Sequence, residues 1–367
     1  MRLGVIGCGG FGLYALQQFA QVPGVVLVGM AGTHREAAQA AARRFGIPDI
    51  EEVERIVARD DVDLVYIATP PFLHHPQAML ALQAGKHVVC EKPLALTVEQ
   101  ADEMIAEARR RELLIVANLM QRYNPVFPAV RRLIEDRVLG EVLHGDFENY
   151  ASDESLGPDH WFWNRSRSGG IFVEHGVHFF DLFAGWLGPG EVTSAQAATR
   201  PGSTPPIEDQ VQCSMRYGES ILVHIYHGFH QPSRMDRQEL RLVFERGDVT
   251  LHEWVPTRVR IHALADEAQT RALETLFPGA RLDVTAVYSG KDRACQGRHR
   301  PIDAYQMLEL TWGEGVVKSH RYGEMLRAFL ADQIAWIRDR NHRRVITEEN
   351  GRESLVMACA ADRLARS

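Results

Sequence analysis

The chain has 367 residues, of which 45% are hydrophobic and 24% are charged, and its formal net charge at pH 7 is -7. The length predicts about two domains, and the negative charge argues against a nucleic-acid partner. No apolar run approaches the ~18 residues of a membrane span. The five cysteines are scattered without a C-x-x-C pair, and a strand is predicted from residue 2 or 3, which leaves no room for a signal peptide. We therefore expect a cytoplasmic protein with no membrane contact.

The first predicted element is a short apolar strand, followed by a glycine turn and a helix, in the sequence RLGVIGCGGFG. Gly7, Gly9 and Gly12 have the spacing G-x-G-x-x-G. In this setting the first glycine permits a tight turn, the second a close approach of a pyrophosphate, and the third close helix–strand packing. Amides at a helix start also favour an anion. We expect a dinucleotide to contact Gly7, Gly9, Gly10, Phe11 and Gly12; the alternative is a turn that binds nothing.

A second strand is predicted at residues 25–31, where an acidic residue near its end would hold the ribose 2′-hydroxyl of NAD. This chain has no acidic residue there and offers Thr33, His34 and Arg35 instead. A hydroxyl and a cation suit a 2′-phosphate, so the pattern slightly favours NADP over NAD. The alternative is that Arg35 is a solvated residue at a helix start and that either cofactor binds.

Further apolar strands at residues 63–68, 86–90 and 113–117 alternate with helices, which predicts a parallel sheet covered on both faces. Ligands of such sheets lie at the carboxyl ends of strands. We therefore predict an α/β Rossmann dinucleotide-binding domain at residues 1–120. Further cofactor contacts are expected at two strand ends, from Thr69, Pro70, Pro71, His74, Glu91 and Lys92.

The pattern changes after Val142, where six apolar-alternating segments between residues 142 and 254 read as successive strands with short turns. Such an order predicts an antiparallel sheet of roughly six strands. We assign residues 121–367 to an α+β domain with a mainly antiparallel sheet, which binds substrate and mediates oligomerisation, and whose C-terminal helix packs back on the first domain. Residues 265–305 give no clear prediction.

Two longer motifs resemble signatures of one family. Residues 68–97 (ATPPFLHHPQAMLALQAGKHVVCEKPLALT) resemble the A-T-P-x-x-x-H … A-G-K-H-V-x-x-E-K-P signature of the Gfo/Idh/MocA oxidoreductases, and residues 168–182 (SGGIFVEHGVHFFDL) resemble G-G-x-x-x-D-x-G-x-H-x-x-D. MQRYNP at residues 120–125 is similar to the segment that follows the family's nucleotide domain. The chain departs from the pattern at Glu174, where the family usually has Asp, at His175 beside it, and at Pro71 in place of a common Asn.

The resemblance implies hydride transfer between a nicotinamide and a hydroxyl or carbonyl carbon of a sugar-like or cyclitol-like substrate. It also implies a homo-dimer or homo-tetramer. By position, Lys92 is the lysine of E-K-P and His178 is the histidine of the second signature. Such a reaction needs a proton donor or a base at the oxygen. We expect Lys92 and His178 to flank that oxygen.

A regular helix is expected to begin near Gly170, which would place Glu174, His178 and Asp181 on one face. Glu174 would then orient the His178 ring. His175 and His178 also allow a metal site, which we do not expect. The aromatic and cationic segment before this helix suits sugar rings and anionic groups, and the alternative is that it anchors a surface loop. The expected substrate contacts are Tyr123, Trp161, Trp163, Arg165 and Asp181.

Two other functions remain open at this point. A glycosidase of the same fold would oxidise its substrate transiently and return its cofactor unchanged. A non-catalytic NAD(P)-binding regulator would bind the nucleotide and partner proteins without turnover. The sequence favours the dehydrogenase or reductase because Lys92 and His178 are both present.

Overall fold

The computed structural model describes residues 1–32, 35–47, 50–297 and 300–367, and only the backbone of Arg35 and Ala37. The chain forms two compact units. Unit 1 comprises Met1–Tyr123, Gly157–Asp181 and Tyr322–Arg363, and unit 2 comprises Asn124–Leu156, Leu182–Arg321 and Leu364–Ser367. The predicted division at residues 120 and 121 stays a prediction.

Strands and helices alternate through the first 123 residues. The elements are β1 (Arg2–Ile6), α1 (Gly10–Phe19), β2 (Val26–Ala31), α2 (Arg35–Arg44), α3 (Val53–Ala58), β3 (Leu64–Ile67), α4 (His74–Gln83), β4 (His87–Cys90), α5 (Val98–Arg110) and β5 (Ile115–Ala117). The strands form one sheet in the order β2-β1-β3-β4-β5, and every pair is parallel. The predicted Rossmann sheet is therefore confirmed.

The central strand β3 shows why this segment is a parallel strand. All four of its residues, Leu64 to Ile67, are buried, as expected where helices cover both faces of a sheet. The α5 helix shows how the helices are delimited, because Thr97 caps it by accepting a hydrogen bond from the Gln100 amide at 3.3 Å. These elements bring the ends of β1, β3, β4 and β5 to one edge of the sheet.

The remaining described helices are α6 (Val126–Glu135), α7 (Arg165–Ser168), α8 (Val177–Leu187), α9 (Glu267–Leu276), α10 (Lys318–Arg338) and α11 (Glu348–Leu364). A π-helical turn, Phe172–Gly176, precedes α8. The prediction of a regular helix that begins near Gly170 is therefore wrong. The wider π geometry replaces the 3.6-residue spacing on which the shared face of Glu174 and His178 was predicted.

Unit 2 is built on a nine-stranded sheet in the order β13-β16-β12-β11-β10-β6-β9-β8-β7. Its strands are β6 (Val142–Ala151), β7 (Gly190–Thr199), β8 (Glu208–Tyr217), β9 (Ile221–Phe229), β10 (Arg237–Phe244), β11 (Gly247–His252), β12 (Arg258–Ala265), β13 (Arg281–Val287) and β16 (Gln306–Trp312). A separate two-stranded hairpin joins β14 (Ala294–Gly297) to β15 (Arg300–Asp303).

The sheet of unit 2 is mainly antiparallel, as predicted, but its extent and one pairing differ from the prediction. It has nine strands rather than six, because β12, β13 and β16 add to one side. The β6–β9 pair is parallel. Among the described residues, no helix is long and apolar enough to cross a membrane.

Candidate active site

The glycine loop between β1 and α1 is shaped by contacts with the end of β3. Gly7 has a φ of +104°, and a Cβ there would lie 2.5 Å from the Ala68 carbonyl oxygen. A Cβ at Gly12 would lie 2.8 Å from the Ala68 Cβ. Any larger residue at either position would force the loop or the helix away from the strand. The roles expected of Gly7 in the tight turn and of Gly12 in close packing are confirmed.

Gly9 and Gly10 differ from these two positions, because a Cβ at either would meet no protein atom within 4 Å. Gly9 is the N-cap of α1 and provides no side-chain cap, and the first turn holds no acidic residue. Phe11 beside them is 37% exposed. The start of α1 therefore presents uncapped amides and a positive dipole end on open backbone, a cradle that fits an anionic pyrophosphate.

The residues predicted to contact the 2′ position of the cofactor's ribose lie after β2. Thr33 and His34 are outside the described residues, and only the backbone of Arg35 is described, as the first residue of α2. The preference for NADP thus stays a prediction.

The loop after β3 is held to the loop after β4 by one buried histidine. The His74 side chain is inaccessible to solvent. Its Nδ1 lies 2.7 Å from the Pro93 carbonyl oxygen, and its Nε2 lies 2.8 Å from that of Thr69. Both ring nitrogens contact backbone carbonyl oxygens, and direct contact of His74 with a cofactor stays a prediction. Thr69 donates its hydroxyl to Gln77 at 2.7 Å, and the buried Pro71 opens a 3₁₀ turn.

Glu91, at the end of β4, lies in a buried hydrogen-bond cluster. Its Oε1 accepts the Tyr66 hydroxyl at 2.7 Å and the Asn118 amide at 2.8 Å. Burial raises the pKa of Glu91, and these two hydrogen bonds partly oppose that shift. The cluster links the ends of β3, β4 and β5, and so fixes the position of the neighbouring Lys92.

Lys92 and Glu174 form a direct ion pair. The Lys92 Nζ lies 2.5 Å from Glu174 Oε1 and 2.8 Å from the Glu174 carbonyl oxygen. Both side chains are mostly buried, at 17% and 11% exposure. The carboxylate predicted to orient His178 therefore contacts Lys92, and its effect on His178 stays a prediction. The π turn carries Glu174, and such turns are frequent at functional sites.

His178 lies on the first turn of α8 and is 3% exposed. Burial and, to a smaller extent, the positive charge of Lys92 hold the pKa of its ring well below the usual value. The imidazole is therefore neutral at neutral pH and able to accept a proton. Lys92, Glu174 and His178 thus form one electrostatically coupled group within unit 1.

Two of the residues predicted to contact substrate form hydrogen bonds to other side chains of unit 1. Asp181 is buried, and its carboxylate accepts two hydrogen bonds from the Arg122 guanidinium at 2.7 and 2.9 Å. The Tyr123 hydroxyl donates to Asp332 at 2.5 Å. These contacts are structural, and direct substrate binding by Asp181 and Tyr123 stays a prediction.

The aromatic segment at residues 160–163 forms a chain of ring contacts. Trp161 packs on His160 with centroids 5.2 Å apart, and Trp163 packs on Phe162 at 4.7 Å. Both tryptophans are half-buried. Arg165 pairs with Asp362 and lines a cavity of about 800 Å³ in unit 1, together with Thr97, Gly169, Arg352 and Cys359 among others. Substrate binding by Trp161, Trp163 and Arg165 stays a prediction.

Sequence reasoning missed four residues that shape this site: Tyr66, Asn118, Arg122 and Tyr322. Asn118 follows β5 directly, and a polar residue at a strand end was the signal used for Glu91. Tyr322, on α10, packs its ring against Phe11 at 5.8 Å and Tyr14 at 5.4 Å. No local pattern connects a residue of α10 to the glycine loop, so only the structure could place it there.

The sequence of this region also allows metal binding by His175 and His178. Within the part of the chain that the structure describes, no group of three or more His, Cys, Asp or Glu side chains could hold a metal ion.

A Rossmann sheet with a glycine cradle, and with Lys92 at a strand end paired to Glu174 of the π turn, is the arrangement of a dinucleotide-binding oxidoreductase. Residues 1–119 match the oxidoreductase family with an NAD-binding Rossmann fold, and residues 127–250 match the GFO/IDH/MocA C-terminal domain. The chain belongs to the GFO/IDH/MocA family.

Individual relatives and structures are consistent with this assignment. The dTDP-3,4-didehydro-2,6-dideoxy-alpha-D-glucose 3-reductase of Streptomyces violaceoruber is 36% identical over 143 residues, 39% of this chain and 42% of that protein. A glycosyl hydrolase family 109 protein of Shewanella sp. (strain W3-18-1) is 29% identical over 197 residues, 48% of this chain and 42% of that protein.

Among solved structures, the WlbA dehydrogenase of Bordetella pertussis, in complex with NADH and UDP-GlcNAcA, superposes with a TM-score of 0.78 at 20% identity. The match covers 100% of this chain and 95% of that chain, and it shows a common fold. In contrast, the chain spans about two fifths of the length of the first curated relatives.

Proposed function

We propose that this protein is an NAD(P)-dependent dehydrogenase or reductase that acts on a hydroxyl or carbonyl carbon of a sugar-like or cyclitol-like substrate. The observation that carries the proposal is the Lys92–Glu174 ion pair beside the neutral His178. These groups lie in the same compact unit as the glycine cradle. An acid–base pair next to a dinucleotide site is what reversible alcohol oxidation requires.

The proposed proton transfer follows from the charged Lys92 and the neutral His178 ring. In the oxidative direction, Lys92 Nζ donates a hydrogen bond to the substrate oxygen and orients it. The neutral His178 ring accepts the hydroxyl proton, and Glu174 balances the ammonium charge of Lys92. In the reductive direction the protonated ring returns the proton to the new alkoxide. A nicotinamide dinucleotide, whose pyrophosphate Gly9 and Gly10 would hold, would supply or receive the hydride.

The substrate class and the assembly are part of the same proposal. Trp161 and Trp163 offer aromatic faces to a sugar ring, and family membership favours a homo-dimer or homo-tetramer. For the cofactor, the absence of an acidic residue after β2 and the presence of Thr33 and Arg35 slightly favour NADP over NAD.

The acid–base assignment is tested with Lys92→Met. The variant removes the ammonium group and keeps a side chain of similar length. Turnover of any substrate found in a polyol and keto-sugar screen falls by at least ~10²-fold, while binding of reduced cofactor, followed by nicotinamide fluorescence, stays within about threefold. Lys291→Met, at an exposed position, serves as the control. Retained turnover in Lys92→Met would refute the assignment.

A glycosidase of the same fold is the second candidate, and the family 109 relative is the observation that favours it. Net redox change separates the two functions. The dehydrogenase converts one equivalent of free cofactor per product. The glycosidase releases its leaving group while a tightly held cofactor ends in its starting state.

A further inference from the structure

We propose that His74 is a positioning residue in the imidazolium state, which clamps the two strand-end loops together and places a fixed positive charge behind the Lys92–Glu174 pair. The inference rests on the proposed function for its kinetic consequence, but its charge state is independent of any activity. It goes beyond the cofactor contact expected of His74 from the sequence.

The charge state follows from the two acceptors. The Pro93 and Thr69 carbonyl oxygens lie 2.7 and 2.8 Å from the two ring nitrogens, and a carbonyl oxygen has no proton to donate. A neutral imidazole carries one N–H, so one of its nitrogens would direct a lone pair at a carbonyl lone pair within 3 Å. Only the doubly protonated ring satisfies both contacts as hydrogen bonds, and hydrogen bonds from a charged donor are the stronger kind.

Burial works against this state. The ring is inaccessible to solvent, and burial, the largest influence, lowers the pKa of His74 below its ordinary value. The hydrogen bonds to Pro93 and Thr69 oppose that shift only in part. Two charged groups face the ring from the elements packed against it: Lys92 disfavours the imidazolium and Glu174 favours it. On α4 itself, the Nε2 of the adjacent His75 lies 2.8 Å from Oε2 of Glu103. The geometry of two acceptors and one nearby carboxylate supports the charged ring.

The clamp has a consequence for catalysis. Thr69 lies two residues after β3, and Pro93 follows Lys92 in the loop after β4. The His74 ring therefore joins the loop after β3 to the loop that carries the acid–base lysine. Its charge adds to the positive potential at the site. In the oxidative direction this potential favours loss of the substrate proton, because a nearby cation stabilises the developing alkoxide.

The charge state is measured directly on the wild-type protein by side-chain ¹⁵N NMR with ¹⁵N-histidine labelling. His74→Gln identifies the resonances, and His75→Gln is the matched control on the same helix. We expect both His74 nitrogens to be protonated at neutral pH, with two slowly exchanging N–H signals. One protonated and one unprotonated nitrogen would overturn the proposal, whatever the enzyme does.

The kinetic consequence is measured in His74→Gln, which keeps one donor nitrogen and removes the charge. The rising limb of kcat/KM for alcohol oxidation shifts toward higher pH by about one unit, and His75→Gln leaves it unchanged. A purely structural clamp would lower stability without moving the limb, and an unmoved limb would refute the electrostatic role. If no substrate is turned over by the wild type, the proposed function fails while the NMR result still decides the state of His74.

Discussion

At the scale of single residues, the site depends on buried charges that are matched in pairs. Lys92 contacts Glu174, and Arg122 donates two hydrogen bonds to the Asp181 carboxylate. The Arg122 and Asp181 side chains are 11% and 1% exposed. Removing one partner of such a pair costs more than the pair contributes, because the other charge is left without compensation in the interior.

Asp181→Asn tests whether this carboxylate has the structural role seen here. We expect the variant to lose about 3–5 kcal/mol of unfolding free energy, since Arg122 keeps its charge in a buried position. Asp136→Asn, which breaks the exposed Arg132–Asp136 pair, should cost less than about 1 kcal/mol. Denaturant titration measures both. A stable Asp181→Asn with a raised KM would instead support the predicted contact between Asp181 and the substrate.

At the scale of elements, the glycine loop contains one glycine that packs against a strand and another that faces open space. Gly12 faces Ala68 at 2.8 Å, whereas Gly9 faces open space. The two glycines have the same chemistry but different neighbours, so identical substitutions should have different effects.

Gly12→Ala should destabilise the protein by about 1–3 kcal/mol, because the new methyl group forces α1 away from the end of β3. Gly9→Ala should leave stability within about 0.5 kcal/mol and weaken cofactor binding by at least ~10-fold, because the methyl group points where a pyrophosphate would approach. Thermal unfolding and nicotinamide fluorescence measure the two effects. Equal loss of stability in both variants would contradict this division.

The elements also show what sequence reasoning could predict. The five strands β1–β5 and their parallel sheet were predictable because every strand is a short apolar run and every strand end carries a glycine or a polar residue. Contacts between distant segments were not predictable, since nothing in the local pattern joins Tyr322 to Phe11 or Arg165 to Asp362.

Two errors have local physical causes. The π turn at residues 172–176 was predicted as part of a regular helix, because an extra residue per turn leaves no simple signature in the sequence. The β12 strand was missed although Val259, Ile261, Ala263 and Ala265 alternate as buried residues. This alternation of apolar residues is typical of a strand, and it predicts that the sheet extends beyond six strands.

At the scale of the whole molecule, stability should fall in acid partly through one buried histidine of unit 2. His227 is inaccessible to solvent and packs 5.2 Å from the Phe147 ring. Burial lowers the pKa of His227 from 6.5 to about 3. Between these values the unfolded chain binds a proton at this site and the folded chain does not, so stability decreases as the pH falls from 6.5 toward 3.

His227→Gln should remove that contribution. The unfolding free energy of the wild type should fall relative to the variant by up to about 1.4 kcal/mol per pH unit through this window. Replacement of the exposed His144 by Gln should leave the wild-type slope unchanged. Urea titrations across the pH range test this. Parallel pH profiles for the wild type and His227→Gln would show that His227 does not carry the effect.

The central claim is that the cradle of Gly9 and Gly10 binds a nicotinamide dinucleotide for hydride transfer. The most direct measurement is a titration of the folded protein with NADPH and with NADH, followed by nicotinamide fluorescence. We predict that both bind and that NADPH binds more tightly. Tighter binding of NADH would contradict the assignment of Thr33 and Arg35 to a 2′-phosphate. Binding of neither, in protein shown to be folded, would contradict the account as a whole.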